Sequence, residues 1–509
     1  MLFLVYLQLA QRVAYGSDGA VLEQQALDML HGNLLLRGWT VADISFYAIE
    51  IPELAVLEWA HGGLSPEVLR VAEALNLTLV VLLVALLAKG RATGREGLVR
   101  VLVAAGIVFA PTPGANGVLM LGNPDHLATQ IPLLAVWLII DRARPRWWVP
   151  VAVATLLAWA RMSDSIVLLE GEIPLLAVCA MRVYQRRGPL RGQWYDLSLA
   201  AAAIAAEGAA QVALRMIHAA GGFTAYPLQE AVAPIAQLFT HIGVTVESAL
   251  LLYGADVSGA VLQGNLALII PAVHLAGALL AAAATWYAVR RFFASDLMLQ
   301  VVTMATLISL LAFTLFGNGV VVGGGAHNLM PVLPAGAVLA GRMLTSGLIR
   351  RSLLPVLAVT LALYAGFLVR DTVRLRPTIT FMPLAAWLQD QHLRYGLSNY
   401  YAASLVTVDD SGQVMVAPIK RTGDHLVLSP WESTTSWYDP SAHDATFFIA
   451  DQMQGCPPGD ATAWVDAAIR AFGSPTRTYS VDGAQVLIWS HNLLTNHLTR
   501  EPMSRPSSC

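Results

Sequence analysis

From residue 1 to about residue 370 the chain returns repeatedly to apolar stretches that approach the roughly 20 residues a bilayer crossing needs, separated only by short polar breaks. A chain so patterned cannot be an ordinary soluble globule, because most of this apolar surface would face water. Its charged fraction agrees: 13% of residues are Asp, Glu, Lys or Arg, about half the roughly 25% of a soluble domain. Eleven crossings are expected, near residues 1–16, 67–88, 98–111, 126–140, 147–161, 165–181, 197–217, 264–289, 297–316, 329–347 and 352–370. Residues 1–15 would reach only about 22 Å as a helix, against a hydrocarbon core of roughly 30 Å. No basic segment and no A-x-A site marks them as a cleaved signal, so they are taken as a crossing, with a misassigned start as the alternative.

The breaks differ in charge. Those after the even-numbered crossings hold sixteen cations: Lys89, Arg91, Arg95, Arg100, Arg142, Arg144, Arg146, Arg182, Arg186, Arg187, Arg191, Arg290, Arg291, Arg342, Arg350 and Arg351. Only Glu96, Asp141, Asp196 and Asp296 accompany them. Cations flanking crossings are retained in the cytoplasm, which places the N-terminus inside and, for an odd number of crossings, residues 371–509 outside. The expected domains are therefore a transmembrane part, 1–370, with a first outer loop at 17–66, and an extracytoplasmic α/β domain, 371–509. In the latter, helices are expected near 382–393 and 462–472, a hairpin over 404–418, a strand at 445–450 and a last hairpin turning at Asp482 and Gly483. Its aromatic residues, among them Tyr400, Tyr401, Trp431 and Trp437, are suited to a core or to stacking on sugar rings.

A net charge of -3 offers no basic field for nucleic acid. Three cysteines make neither a disulfide framework nor a metal cluster. HExxH, GxSxG and GxxxxGK[ST] are all absent from the sequence, which removes the zinc-hydrolase, lipase and P-loop classes. What remains is polar residues at the outer ends of crossings. Asp18 lies just past the first crossing, at a depth where a carboxylate is costly unless used. It opens an amphipathic stretch that suits the membrane interface. Asp43, Glu50 and Glu53 follow in the same loop, either as a solvated acidic surface or as part of a substrate site. Asp125 and His126 open the fourth crossing, as a helix cap or as groups for a phosphate or sugar hydroxyl. Arg161 and Asp164 lie three apart between the fifth and sixth crossings, as an ion pair or as a phosphate cation with a second carboxylate. His327 ends the glycine-rich run 323–328.

With an Asp beyond the first crossing, a long juxtamembrane outer loop, about eleven crossings and a C-terminal outer domain, the chain resembles the GT-C superfamily of integral membrane glycosyltransferases, of the protein O-mannosyltransferase and aminoarabinose-transferase type. The segments HGNLLLRGW (31–39), DISFYAIEIPELA (43–55), NPDHLATQIPLL (123–134), SDSIVLLEGEIPL (163–175), PVLPAGAVLAGR (331–342), HDATFFIAD (443–451) and VLIWSHNLL (486–494) are similar to an actinobacterial group of such proteins. The resemblance implies a mainly α, polytopic fold and an inverting transfer from a polyprenyl-phosphate sugar to a cell-envelope glycan, lipid or protein, among membrane lipids. It puts the general base on Asp18. Many relatives carry Asp followed by Glu there; here Gly19 follows. Asp43, Glu50, Asp125, His126, Arg161, Asp164 and His327 are the expected substrate contacts, with His126, Arg161 and His327 toward the phosphate. Some members recruit a divalent cation (Mg or Mn) and others do not. If one binds here, Asp18, Asp125 and Asp164 are the carboxylates for it. A multi-pass secondary transporter or flippase, and a non-catalytic envelope scaffold, are the readings from other classes.

Overall fold

A computed structural model describes residues 1–112, 115–123, 126–186, 190–227, 232–255, 269–316, 325–343, 353–373, 381–451, 460–496 and 498–499. The chain divides into two compact units, one of residues 1–13, 73–214 and 229–376, the other of residues 14–72, 215–228 and 377–509.

The first unit is helical. Five described helices are long and apolar enough to cross a membrane: Pro66–Lys89, Trp194–Ala219, Ile235–Leu252, Ile269–Arg290 and Leu297–Phe316. Trp148–Ser163 and Val359–Arg370 are shorter apolar helices. By this measure the eleven expected crossings are not all recovered, and Ile235–Leu252 falls in a stretch assigned to a loop. His241 and Glu247 interrupt its apolar run in sequence. In the helix, His241 is buried and Glu247 exposed. The chain is a multi-pass membrane protein.

At the centre of this unit the helix Val332–Met343 is buried at every position from Val332 to Gly341. Its small residues let neighbouring backbones come close, as in membrane helix packing generally. A Cβ on Gly341 would lie 2.7 Å from the Ala88 Cβ and 2.8 Å from the Arg100 carbonyl oxygen. The next residue, Arg342, donates from Nε to the Leu87 carbonyl at 2.6 Å and pairs with Asp141 at 2.7 Å. Two other carboxylates among the basic breaks are likewise matched. Glu96 pairs with Arg100 at 2.5 Å, and Asp196 with Arg182 and Arg186 at 3.1 and 2.7 Å.

The second unit is α/β. Its strands are β1 (Trp39–Val41), β2 (Thr224–Ala225), β3 (Tyr395–Asn399), β4 (Met415–Thr422), β5 (His425–Leu428), β6 (Ser433–Thr434), β7 (Phe447–Ala450), β8 (Arg477–Val481) and β9 (Ala484–Ile488). Six form a sheet in the order β5-β4-β3-β7-β9-β8, parallel across β4, β3 and β7 and antiparallel toward both edges. Leu384, Leu388, Ala403, Val406, Phe447, Ile449 and Val486 fill its core. The last hairpin turns on Asp482 and Gly483, both at positive φ, as a two-residue hairpin requires. In place of the hairpin expected over 404–418 there is a helix, Tyr400–Asp409, followed by β4. Asn399 caps that helix by accepting the Ala402 N–H at 2.9 Å, and Ser411 and Gly412, at positive φ, end it. The β-branched run in 404–408 disguised it.

A smaller sheet, β2-β1-β6, joins three distant segments. β1 pairs in parallel with β2 and antiparallel with β6. The helix Ser17–Leu30 packs on Glu50–His61 and on Tyr400–Asp409.

Replacing Gly341 by Ala is expected to cost about 1–3 kcal/mol through overpacking, read as a lower thermal midpoint in detergent. Gly366, with nothing within 4 Å of its Cβ position, should accept Ala with no loss.

Candidate functional site

In the second unit the first turn of Ser17–Leu30 carries Asp18, partly exposed. The N-terminal end of a helix favours a negative charge. The Tyr400 hydroxyl, from the first position of its own helix, reaches Asp18 Oδ1 at 2.5 Å, and Ser17 Oγ lies 3.4 Å from the same oxygen. On its other side the Tyr400 hydroxyl meets Oε2 of Glu432. Glu432 is buried, and it sits at φ 45°, directly before β6. A non-glycine residue held there stores roughly 1–3 kcal/mol of strain. The Trp431 indole N–H donates to Glu432 Oε2 at 3.2 Å, and the Tyr226 ring meets that indole edge-on.

One hydroxyl has one proton, so Tyr400 cannot donate to both carboxyls. A proton on Glu432 closes the second contact. Burial pushes the Glu432 carboxyl well above the usual range, and the charges of Asp18 and Asp43 push it further. Burial and the same two neighbours, Asp18 and Glu432, keep the Tyr400 hydroxyl protonated. Tyr401 is also raised, by burial and by Asp18. Asp43 thus belongs to the electrostatic surroundings of this carboxylate pair, whereas Glu50 is buried at the start of the helix Glu50–His61.

The first unit gathers three expected residues from three segments. His126 Nδ1 lies 2.6 Å from Asp164 Oδ2, with both side chains buried, and the His327 ring stacks on His126 at 5.6 Å and 18°. Asp164 also accepts the Ile166 N–H at 2.9 Å, so it is fixed and in turn orients the imidazole. His126 adopts φ 61°. One turn on, Gln130 donates to Glu170 at 3.2 Å. Glu170 stands in a π-helical segment, Leu168–Glu172, a rare geometry often found at functional positions.

Arg161 does not pair with Asp164. Its Nε donates to Glu207 at 2.7 Å, because Asp164 lies past the helix end with extended backbone and leaves the face that Arg161 occupies. Asp125 falls outside the described residues. Among the described residues no three His, Cys, Asp or Glu side chains gather as a metal set, so no step is derived through a cation. Glu432 and Glu170 escaped the sequence analysis, and Tyr400 was named there only as an aromatic for a core or for stacking on sugar rings.

No family model matches the chain, and no curated protein matches its sequence. Solved structures do. The chain shares its fold with solved membrane-enzyme structures. ArnT from Cupriavidus metallidurans, crystallised with undecaprenyl phosphate, is 13% identical over 98% of this chain and 98% of its own, with a TM-score of 0.57. Its apo form gives 12%, 98%, 97% and 0.57. An Archaeoglobus fulgidus oligosaccharyltransferase, in complex with Zn and sulfate, is 12% identical over 95% of this chain and 73% of its own, with a TM-score of 0.50.

A second buried acidic pair joins Ser17–Leu30 to Glu50–His61. Glu23 and Glu58 are both fully buried, and Glu23 accepts the Ser65 N–H at 3.4 Å. Burial raises both, Glu58 to about 8, and the Glu58 charge raises Glu23 further. A carboxyl whose folded pKa is raised stabilises the fold fully below its unfolded value and loses that contribution as pH rises through the folded one. Glu58→Gln should therefore match wild type near pH 4.5 and exceed it increasingly up to about pH 8, by on the order of a few kcal/mol. Unfolding midpoints measured across pH 4.5–9 check this.

Proposed function

We propose that the chain is a membrane glycosyltransferase that moves a sugar from a polyprenyl-phosphate donor to a cell-envelope acceptor at the outer face, with inversion, and with Asp18 as general base. The observation that carries this is a partly exposed Asp18, held by Tyr400 beside a buried Glu432, in a fold shared with an ArnT whose crystal structure holds undecaprenyl phosphate. The acceptor hydroxyl attacks the anomeric carbon on the face opposite the donor phosphate. Its proton passes to Asp18 as the new C–O bond forms, and the lipid phosphate leaves with the bonding electron pair. Phosphate is already stable as an anion, so the reaction calls for a base and for donors around the departing oxygens more than for an acid.

Within the first unit, His126, oriented by Asp164, and the stacked His327 have the chemistry to donate to a phosphate. Arg161, engaged by Glu207, is a weaker candidate than its charge alone suggested. The sixteen cations of the basic breaks support a cytoplasmic N-terminus and an outward-facing C-terminal domain.

Purified protein supplied with a panel of radiolabelled polyprenyl-phosphate sugars tests the proposal. Asp18→Asn should lower turnover by roughly 10²–10⁴-fold, the usual worth of a general base. Equal turnover by both proteins removes Asp18 from the chemistry, and solute flux into proteoliposomes points to a transporter instead. His126→Ala should cost roughly 10²–10³-fold in kcat, comparable to losing one anion-stabilising donor, while Arg161→Ala should cost much less.

A further inference from the structure

We infer that Tyr400 and Glu432, contributed by the C-terminal domain, are positioning residues that hold the Asp18 carboxylate in its working orientation. This rests on the reading of Asp18 as the base. The geometry is specific. A single hydroxyl bridges two carboxyls that are 414 residues apart in the chain, reaching Asp18 Oδ1 at 2.5 Å and Glu432 Oε2 on the other side. Three structural commitments aim that hydroxyl. Tyr400 is locked at a capped helix start by Asn399. Glu432 is fixed by the Trp431 indole and by the left-handed backbone that leads into β6. β6 is itself stitched to β1, in the loop that follows Asp18.

A donor chain runs from the Glu432 carboxyl to the Tyr400 hydroxyl to Asp18, so the strain at Glu432 serves the aim of a carboxylate that Glu432 never touches. Asp43 and Tyr401 are the other titratable groups coupled to this pair. Glu23, on the same helix as Asp18, forms a separate group with Glu58 of Glu50–His61 and Arg70 of Pro66–Lys89.

The test uses the full-length protein and whichever sugar of the polyprenyl-phosphate panel wild type turns over. Tyr400→Phe and Glu432→Ala should lower kcat by about 10–100-fold, as expected for a misplaced catalytic group, with KM within about twofold of wild type. Glu432→Gln keeps an N–H donor toward Tyr400 and should restore most of kcat. Hydrogen exchange over residues 17–22 gives a readout independent of turnover: faster in Tyr400→Phe and Glu432→Ala, near wild type in Glu432→Gln, with unchanged exchange over the sheet core showing that the domain is folded. Wild-type kcat in Tyr400→Phe, a change confined to KM, or unaltered exchange at 17–22 would overturn the inference. If Asp18→Asn is fully active, the reading of the base fails instead. If Asp18→Asn is inactive while Tyr400→Phe and Glu432→Ala keep full kcat, only the positioning role fails.

Discussion

The cost of taking a carboxylate out of water governs both units of this protein. A buried acid must find a cation, a set of donors or a proton, and each solution occurs here. Asp141 and Asp196 are matched by arginines. Asp164 is matched by an imidazole and a backbone N–H. Glu432 is met by the Tyr400 hydroxyl and the Trp431 indole, and burial pushes its carboxyl well above the usual range. Asp18 stays nearer to solvent, at a helix start and within reach of a tyrosine hydroxyl. Two carboxyls joined through one hydroxyl thus sit in different surroundings, one buried and one nearer to solvent.

The membrane character of the chain was legible because lipid leaves few options. Apolar length is a property of contiguous sequence, and it survives in the structure as apolar helices. Ile235–Leu252 escaped because His241 and Glu247 interrupt its apolar run, and only the fold shows that one of these faces inward. The helix Tyr400–Asp409 escaped because β-branched residues imitate a strand, while the cap at Asn399 that decides the matter is a single side chain.

The candidate site was legible only in part, for a different reason. Asp18 stood out by its place after the first crossing and by family resemblance. His126, Asp164 and His327 were singled out from the polar ends of separate crossings, and the fold brings them into one cluster. Glu432 carried no local signal. It follows a tryptophan in a polar stretch, and its role is created by a hydroxyl from a helix that begins 32 residues earlier and a carboxylate from the opposite end of the chain. Pairings of that kind are set by topology, which periodicity and composition do not encode.

The three-stranded sheet has an implication for how such enzymes diversify. It takes one strand from the loop after the first crossing, one from the segment after Trp194–Ala219 and one from the C-terminal domain. The C-terminal part of this chain is therefore no detachable cassette. Exchange of the C-terminal segment between relatives would separate β6 from its partners β1 and β2, so change in this unit has to come by small co-ordinated substitutions across three segments, not by wholesale domain transplantation.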